Sequence, residues 1–125
     1  DRLKAMMISA VASGVSSNGQ IKGIQVAGKT GTAQDLGRNK NGSAKDDTSW
    51  FASFAPADSP QYAVVMVVSQ GGFGASVSAV GVKDIYTTLF GVVGNKIDPT
   101  KSAFPNGIPN TIPKLDVKNA KPVTN

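Results

Sequence analysis

The run Gly23-Ile24-Gln25-Val26-Ala27-Gly28-Lys29-Thr30-Gly31-Thr32-Ala33-Gln34 admits two backbones that exclude each other. Either the residues between Gly23 and Gly28 curl into a tight loop with a helix starting at Lys29, or they run extended into a strand. Ile24 and Val26 are β-branched, stiff at χ1 and suited to a pleated surface. A polar turn, Ser16 to Gly19, stands before Gly23 where the curled form needs a strand. Gly31, directly after Thr30, is a poor start for a helix. Residues 22–33 are therefore expected to form a strand.

The curled form would be the phosphate-loop pattern G-x-x-x-x-G-K-[ST], formally matched by Gly23 to Thr30. That chemistry also asks for an acidic residue closing a later strand to help hold magnesium, and the run 62–68 ends in Ser69-Gln70. Nucleotide binding at Gly23–Thr30 is the remote alternative.

Periodicity supplies the other elements. Leu3, Met6, Met7, Ala10 and Val11 recur at helical spacing, with Gly14 as a stop. Residues 35–48 have almost no apolar content and are expected to form an exposed loop. Trp50 to Ala55 reads as a second strand. Pro56 to Pro60 reads as a turn, and Tyr62 to Val68 as a third strand whose continuous apolar run implies burial on both faces. Gly71-Gly72-Phe73-Gly74 breaks that strand. A helix through Val82, Ile85, Tyr86, Leu89 and Phe90 follows, with Ser76 or Ser78 as cap. From Gly94 the chain reads as an extended, proline-punctuated tail. The class is α+β: helix, three strands in an antiparallel meander, helix, tail. Residues 1–93 form the folded part and 94–125 the tail.

With 125 residues there is room for one modest domain, or for a piece of a larger one. A pattern already helical at Asp1-Arg2-Leu3-Lys4 favours the piece, and a sheet buried on both faces needs more protein than two short helices. Zero Cys and zero His exclude thiol catalysis, disulfides, Ser-His triads and ordinary zinc sites. No apolar run approaches a bilayer span. The formal charge of +5 is spread over Arg38, Lys40, Lys45, Lys96, Lys101, Lys114, Lys118 and Lys121. Without interleaved aromatics this is a solvated basic surface and no nucleic-acid platform.

On a strand, Lys29 and Gly31 share one face, Thr30 and Thr32 the other. Such an edge suits acyl transfer. Lys29 brings a cation that polarises neighbouring hydroxyls and attracts an anion, and Gly31 lets a helix bearing a nucleophile approach. Thr30 and Thr32 place two hydroxyls for a carboxylate. An unpaired backbone N–H at Thr32 donates to a developing oxyanion, a contact worth about 3 kcal/mol of barrier. Trp50 reads as a packing aromatic at the start of the next strand.

Lys29-Thr30-Gly31 is the third of the motifs S-x-x-K, S-D-N and K-T-G. The stretch Ala27 to Gln34, the polar loop, Ser49-Trp50-Phe51-Ala52-Ser53-Phe54-Ala55-Pro56-Ala57-Asp58 and Tyr62 to Val68 closely resembles the C-terminal part of class B penicillin-binding proteins. Gly71-Gly72 and the helix through Ala79-Val80-Gly81-Val82-Lys83-Asp84-Ile85-Tyr86 continue the resemblance, which covers residues 1 to about 92. Gly81 departs from it, since many relatives carry proline there, and is expected to loosen the helix start.

The resemblance implies a D,D-transpeptidase fold and activity, without cofactor or metal. A serine attacks the D-Ala-D-Ala end of a peptidoglycan stem peptide, and β-lactams acylate the same serine. It implies Lys29 and Thr32 as catalytic residues, with Lys29, Thr30, Gly31 and Thr32 binding substrate, and the extracytoplasmic face of the bacterial membrane as the location, anchored from outside this chain. Ser43-Ala44-Lys45 has the wrong spacing for S-x-x-K, and Ser16-Ser17-Asn18 lies too close before Lys29 to be the second motif. Both missing motifs are expected on an N-terminal part of the same protein, so this chain alone is expected to be inactive. A β-lactamase or β-lactam sensor shares the fold and is the main alternative; Thr32-Ala33-Gln34 and Trp50-Phe51 favour the biosynthetic enzyme.

Overall fold

A computed structural model describes residues 2–106. Helix α1 spans Arg2–Ala12, strands β1, β2 and β3 span Ala27–Ala33, Thr48–Ala55 and Tyr62–Val68, and helix α2 spans Ser78–Phe90. The strands form one antiparallel sheet in the order β1-β2-β3. The expected α+β meander is therefore the observed one.

Register explains where the core sits. Thr30 lies opposite Phe51, and Phe51 opposite Met66, so Gly28, Thr30, Thr32, Phe51, Ser53, Val64 and Met66 share one face. The buried cluster on that face takes Phe51 and Ala55 from the sheet, Val11 from α1, Ala79, Val82 and Tyr86 from α2, and Ile21, Ile24 and Val26 from the segment before β1. A buried side chain of this size stabilises the fold by about 2 kcal/mol. Tyr86 is anchored by a hydrogen bond between its hydroxyl and Ser53 Oγ, 3.1 Å apart. Burial pushes its phenol above the ordinary value of 10.0, partly opposed by hydrogen bonds from Ser53 and Val64.

Four expectations need correction. The first strand begins at Ala27, because residues 21–24 instead close a tight turn through a bridge between Ile21 and Ile24, with Gly23 at φ 82°. The third strand is not buried on both faces among the described residues: its exposure alternates, with Val65 63% and Val67 46% exposed. The cap of α2 is neither Ser76 nor Ser78. Val77 occupies that position without a side-chain bond, and Ser49 Oγ of β2 accepts the Ser78 N–H at 3.2 Å while meeting Ser78 Oγ at 2.6 Å. Trp50 does not pack in the core; Phe51, its neighbour on the opposite face, does so fully.

Helix α2 already begins at Ser78, and the Gly81 N–H donates to Val77 O at 3.0 Å. A side chain at Gly81 would run into Met66 of β3, so the glycine lets α2 lie close on the sheet. After α2 a small ribbon pairs β4 (Val92–Val93) with β5 (Lys96–Ile97), and a 3-10 turn covers Pro99–Lys101. The tail expected from Gly94 thus starts with local structure, and its remainder, 107–125, lies outside the described residues.

Candidate active site at the edge of the first strand

Among the described residues, strand β1 is an edge strand, paired only with β2. Its Thr30 N–H points away from β2 and donates to Ser16 Oγ at 3.3 Å. Outward and inward groups alternate along an antiparallel strand, so the Thr32 N–H, two residues on, also faces outward. Pairing geometry alone thus turns the Thr32 N–H to the same side as the Thr30 N–H.

Lys29 and Gly31 lie on the face away from α2, opposite Ala52 and Trp50. The Lys29 ammonium folds over the edge and donates to Thr30 O at 2.7 Å. It neutralises an outward carbonyl and leaves two ammonium hydrogens for other acceptors. A Cβ at Gly31 would sit 3.3 Å from Trp50 Cβ. Trp50 is 43% exposed here, and with Ala52, Ala63, Val65 and Val67 it makes a bare, mainly apolar face beside the cation. The low polarity of that face strengthens any interaction Lys29 makes there once water is excluded.

Thr30 and Thr32 face the helices. Thr30 is buried, and its Oγ1 accepts from Ser16 Oγ at 3.4 Å. The Thr32 hydroxyl accepts from the Gly74 N–H at 3.3 Å, where the loop before α2 crosses the strand. Gly74 has to be glycine: a Cβ there would collide with Gly31 O and approach Trp50 O to 2.8 Å. Asn18 closes the arrangement, its Nδ2 donating to Ala75 O at 2.9 Å.

The structure thus gathers Lys29, Thr30, Gly31 and Thr32 on one edge, split between two faces. Sequence reasoning sets Ser16-Ser17-Asn18 aside as a chance match and gives Gly74 no role at the site; their contacts span 14 to 57 residues. Ser16, Ser49, Ser53 and Ser78 are buried on the helix side and hydrogen-bonded there, away from Lys29. The phosphate-loop alternative is overturned: Gly23 turns a corner, residues 27–33 run straight, and no helix starts at Lys29. A larger open cavity of about 820 Å³, lined in part by Gln25, Tyr62, Phe90 and Phe104, lies at the other end of the sheet and contains none of the four edge residues. Cation, outward amide and hydroxyls all stand on the β1 edge.

Comparison with known proteins bears on what such an edge is for. Residues 1–87 match the family described as the penicillin binding protein transpeptidase domain. The chain is 41% identical over 54 residues to peptidoglycan D,D-transpeptidase PbpA of Mycolicibacterium smegmatis, covering 43% of this chain and 10% of that protein. Among solved structures, Pseudomonas aeruginosa PBP2 is 31% identical with a TM-score of 0.62, over 78% of this chain and 20% of that one. Penicillin-binding protein A from M. tuberculosis, solved as a ceftriaxone acyl-enzyme complex, is 30% identical with a TM-score of 0.56, over 70% of this chain and 20% of that one. The chain spans a tenth to a fifth of the length of these relatives.

Proposed function

We infer that this chain, which belongs to the penicillin-binding protein transpeptidase domain family, supplies one wall of a serine acyltransferase cleft that cross-links peptidoglycan stem peptides. The observation that carries this reading is the β1 edge, where the Lys29 ammonium and the outward Thr32 N–H stand beside an uncovered apolar face.

In this reading the attacking serine comes from protein outside the 125 residues, on a helix that packs over Trp50, Val65 and Val67 and close to Gly31. The serine Oγ attacks the carbonyl carbon of the penultimate D-Ala, and the Thr32 N–H donates to the oxyanion that develops. The C–N bond breaks and the terminal D-Ala leaves with a proton on its amine. An amine of a second stem then attacks the ester, restoring the serine. Lys29 draws the substrate's terminal carboxylate toward the edge and polarises the neighbouring hydroxyls. Thr30 and Thr32 donate to that carboxylate. A β-lactam, whose amide and carboxylate mimic the same dipeptide, acylates the same serine; the acyl-enzyme form of the M. tuberculosis relative supports this. The enzyme works on the extracytoplasmic face of the bacterial membrane. Among the described residues no helix is long and apolar enough to cross a membrane.

Fluorescent penicillin tests the reading. Residues 1–125 alone take no label, the full-length polypeptide forms an adduct that persists, and Lys29→Ala slows labelling by about a hundredfold or more, the scale set by removing a preorganised electrostatic contact. Rapid hydrolysis of the adduct identifies a β-lactamase instead. An unaffected rate in Lys29→Ala refutes the assignment of Lys29.

A further inference from the structure

We propose that the turn Ser16–Asn18 is a positioning device that fixes the polarity of the Thr30 and Thr32 hydroxyls, so that both present their protons to a carboxylate. The inference rests on the acyltransferase reading and adds residues to it that lie outside the Lys29-Thr30-Gly31 motif.

A threonine hydroxyl has one proton and two lone pairs, and its orientation is set by its partners. Ser16 is fully buried, and its single hydroxyl does two things at Thr30. It accepts from the Thr30 N–H at 3.3 Å and donates to Thr30 Oγ1 at 3.4 Å. With a lone pair of Thr30 Oγ1 already taken by a donor, the hydroxyl proton must point elsewhere.

Thr32 repeats the pattern with a different partner. Its Oγ1 accepts from the Gly74 N–H at 3.3 Å, again leaving the proton free to donate. Asn18, two residues after Ser16, holds the residue after Gly74 by donating to Ala75 O at 2.9 Å. One short turn therefore reaches both threonines, Thr30 directly and Thr32 through the Gly74-Ala75 loop. A carboxylate only accepts, so two hydroxyls committed as donors suit it, and a neutral ester gains less from them. By taking the Thr30 N–H, Ser16 also withdraws that amide from any ligand strand. Thr32, two residues on, then supplies an outward amide for one.

The test compares acylation of the full-length polypeptide by a fluorescent penicillin and by the methyl ester of its carboxylate. Ser16→Ala should slow acylation by the free acid about tenfold, the scale of one charge-assisted hydrogen bond. Acylation by the ester should change by less than about twofold, and Ser16→Thr, which keeps the hydroxyl, should recover most of the rate. Thr30→Val should give the same acid-selective loss, with Ser16→Ala adding little on top. Should Ser16→Ala fail to fold, Ser16→Cys preserves the volume with a weaker donor and carries the same comparison. Equal slowing of acid and ester in a folded variant overturns the proposal, since a merely structural role acts on both. An unchanged acid rate overturns it as well. If the wild-type polypeptide takes no label from the free acid, the acyltransferase reading fails first and the proposal falls with it.

Discussion

Gly74→Ala puts the packing of the site under the most direct strain. The added Cβ meets two backbone carbonyls, Gly31 O and Trp50 O, the latter at 2.8 Å. Both residues belong to the paired strands β1 and β2, so neither oxygen moves without disturbing the ladder. The loop has to retreat instead, by about 0.6 Å to reach ordinary contact with Trp50 O and by more than that to clear Gly31 O. A retreat of that size away from the strand lengthens the 3.3 Å bond from the Gly74 N–H to Thr32 beyond useful range. It also drags on Gly74 O, which accepts the Ala79 N–H at 3.0 Å in the first turn of α2. Overpacking of this kind costs about 1–3 kcal/mol, and the lost hydrogen bond adds about 1 kcal/mol. The expected total is thus about 2–4 kcal/mol, read as a lower urea midpoint at unchanged slope. Gly72→Ala is the control, since Gly72 has φ 75° with open space around it and its cost of about 1–2 kcal/mol is backbone strain alone. A Gly74→Ala variant within about 0.5 kcal/mol of wild type, or a Gly72→Ala variant that is the more damaged of the two, refutes the reasoning.

Ser49→Ala strands both the N–H and the hydroxyl of buried Ser78, and urea unfolding should show a loss of about 1–3 kcal/mol with α2 fraying first in hydrogen exchange. For Tyr86 the folded phenol titrates above its unfolded value of 10.0, so its contribution is complete below pH 10 and fades as pH rises through the folded value. Tyr86→Phe should therefore cost about 1 kcal/mol near neutral pH and flatten the decline in stability above pH 10; a decline as steep as wild type contradicts the assignment. Gly28→Ala would bring a methyl to 2.5 Å from Phe51 Cζ in the core and should lower stability by about 1–3 kcal/mol, measured by thermal melting.

The elements legible in the sequence are those set by local rules. The stripe from Leu3 to Val11 and the apolar run from Tyr62 to Val68 each carry one period, and both lie within elements close to the expected bounds. Lys29 to Thr32 were legible because strand alternation assigns their faces before any tertiary contact exists. What local pattern hides is partnership. Ile21 and Ile24 are β-formers by type, yet a glycine between them makes a turn and sends both into the core. Ser78 looks like a cap because serine caps helices, but Ser49, 29 residues away, does the capping. A continuous run such as 62–68 announces burial without saying which protein supplies the cover, and here one side of it stays bare. Trp50 and Phe51 are adjacent aromatics, and register alone sends one to the core and the other to the open face.

The pleat of β1 keeps the ammonium of position 29 on one side and the two hydroxyls on the other, with separate neighbours. On the proposed reading, sequence drift at Ser16 or Asn18 would therefore retune the two hydroxyls while the surroundings of the cation stay as they were. Drift around Trp50 and Val67 does the reverse. On the proposed acyltransferase reading, one strand, seven residues long, would give selection two separate dials on the same bound molecule.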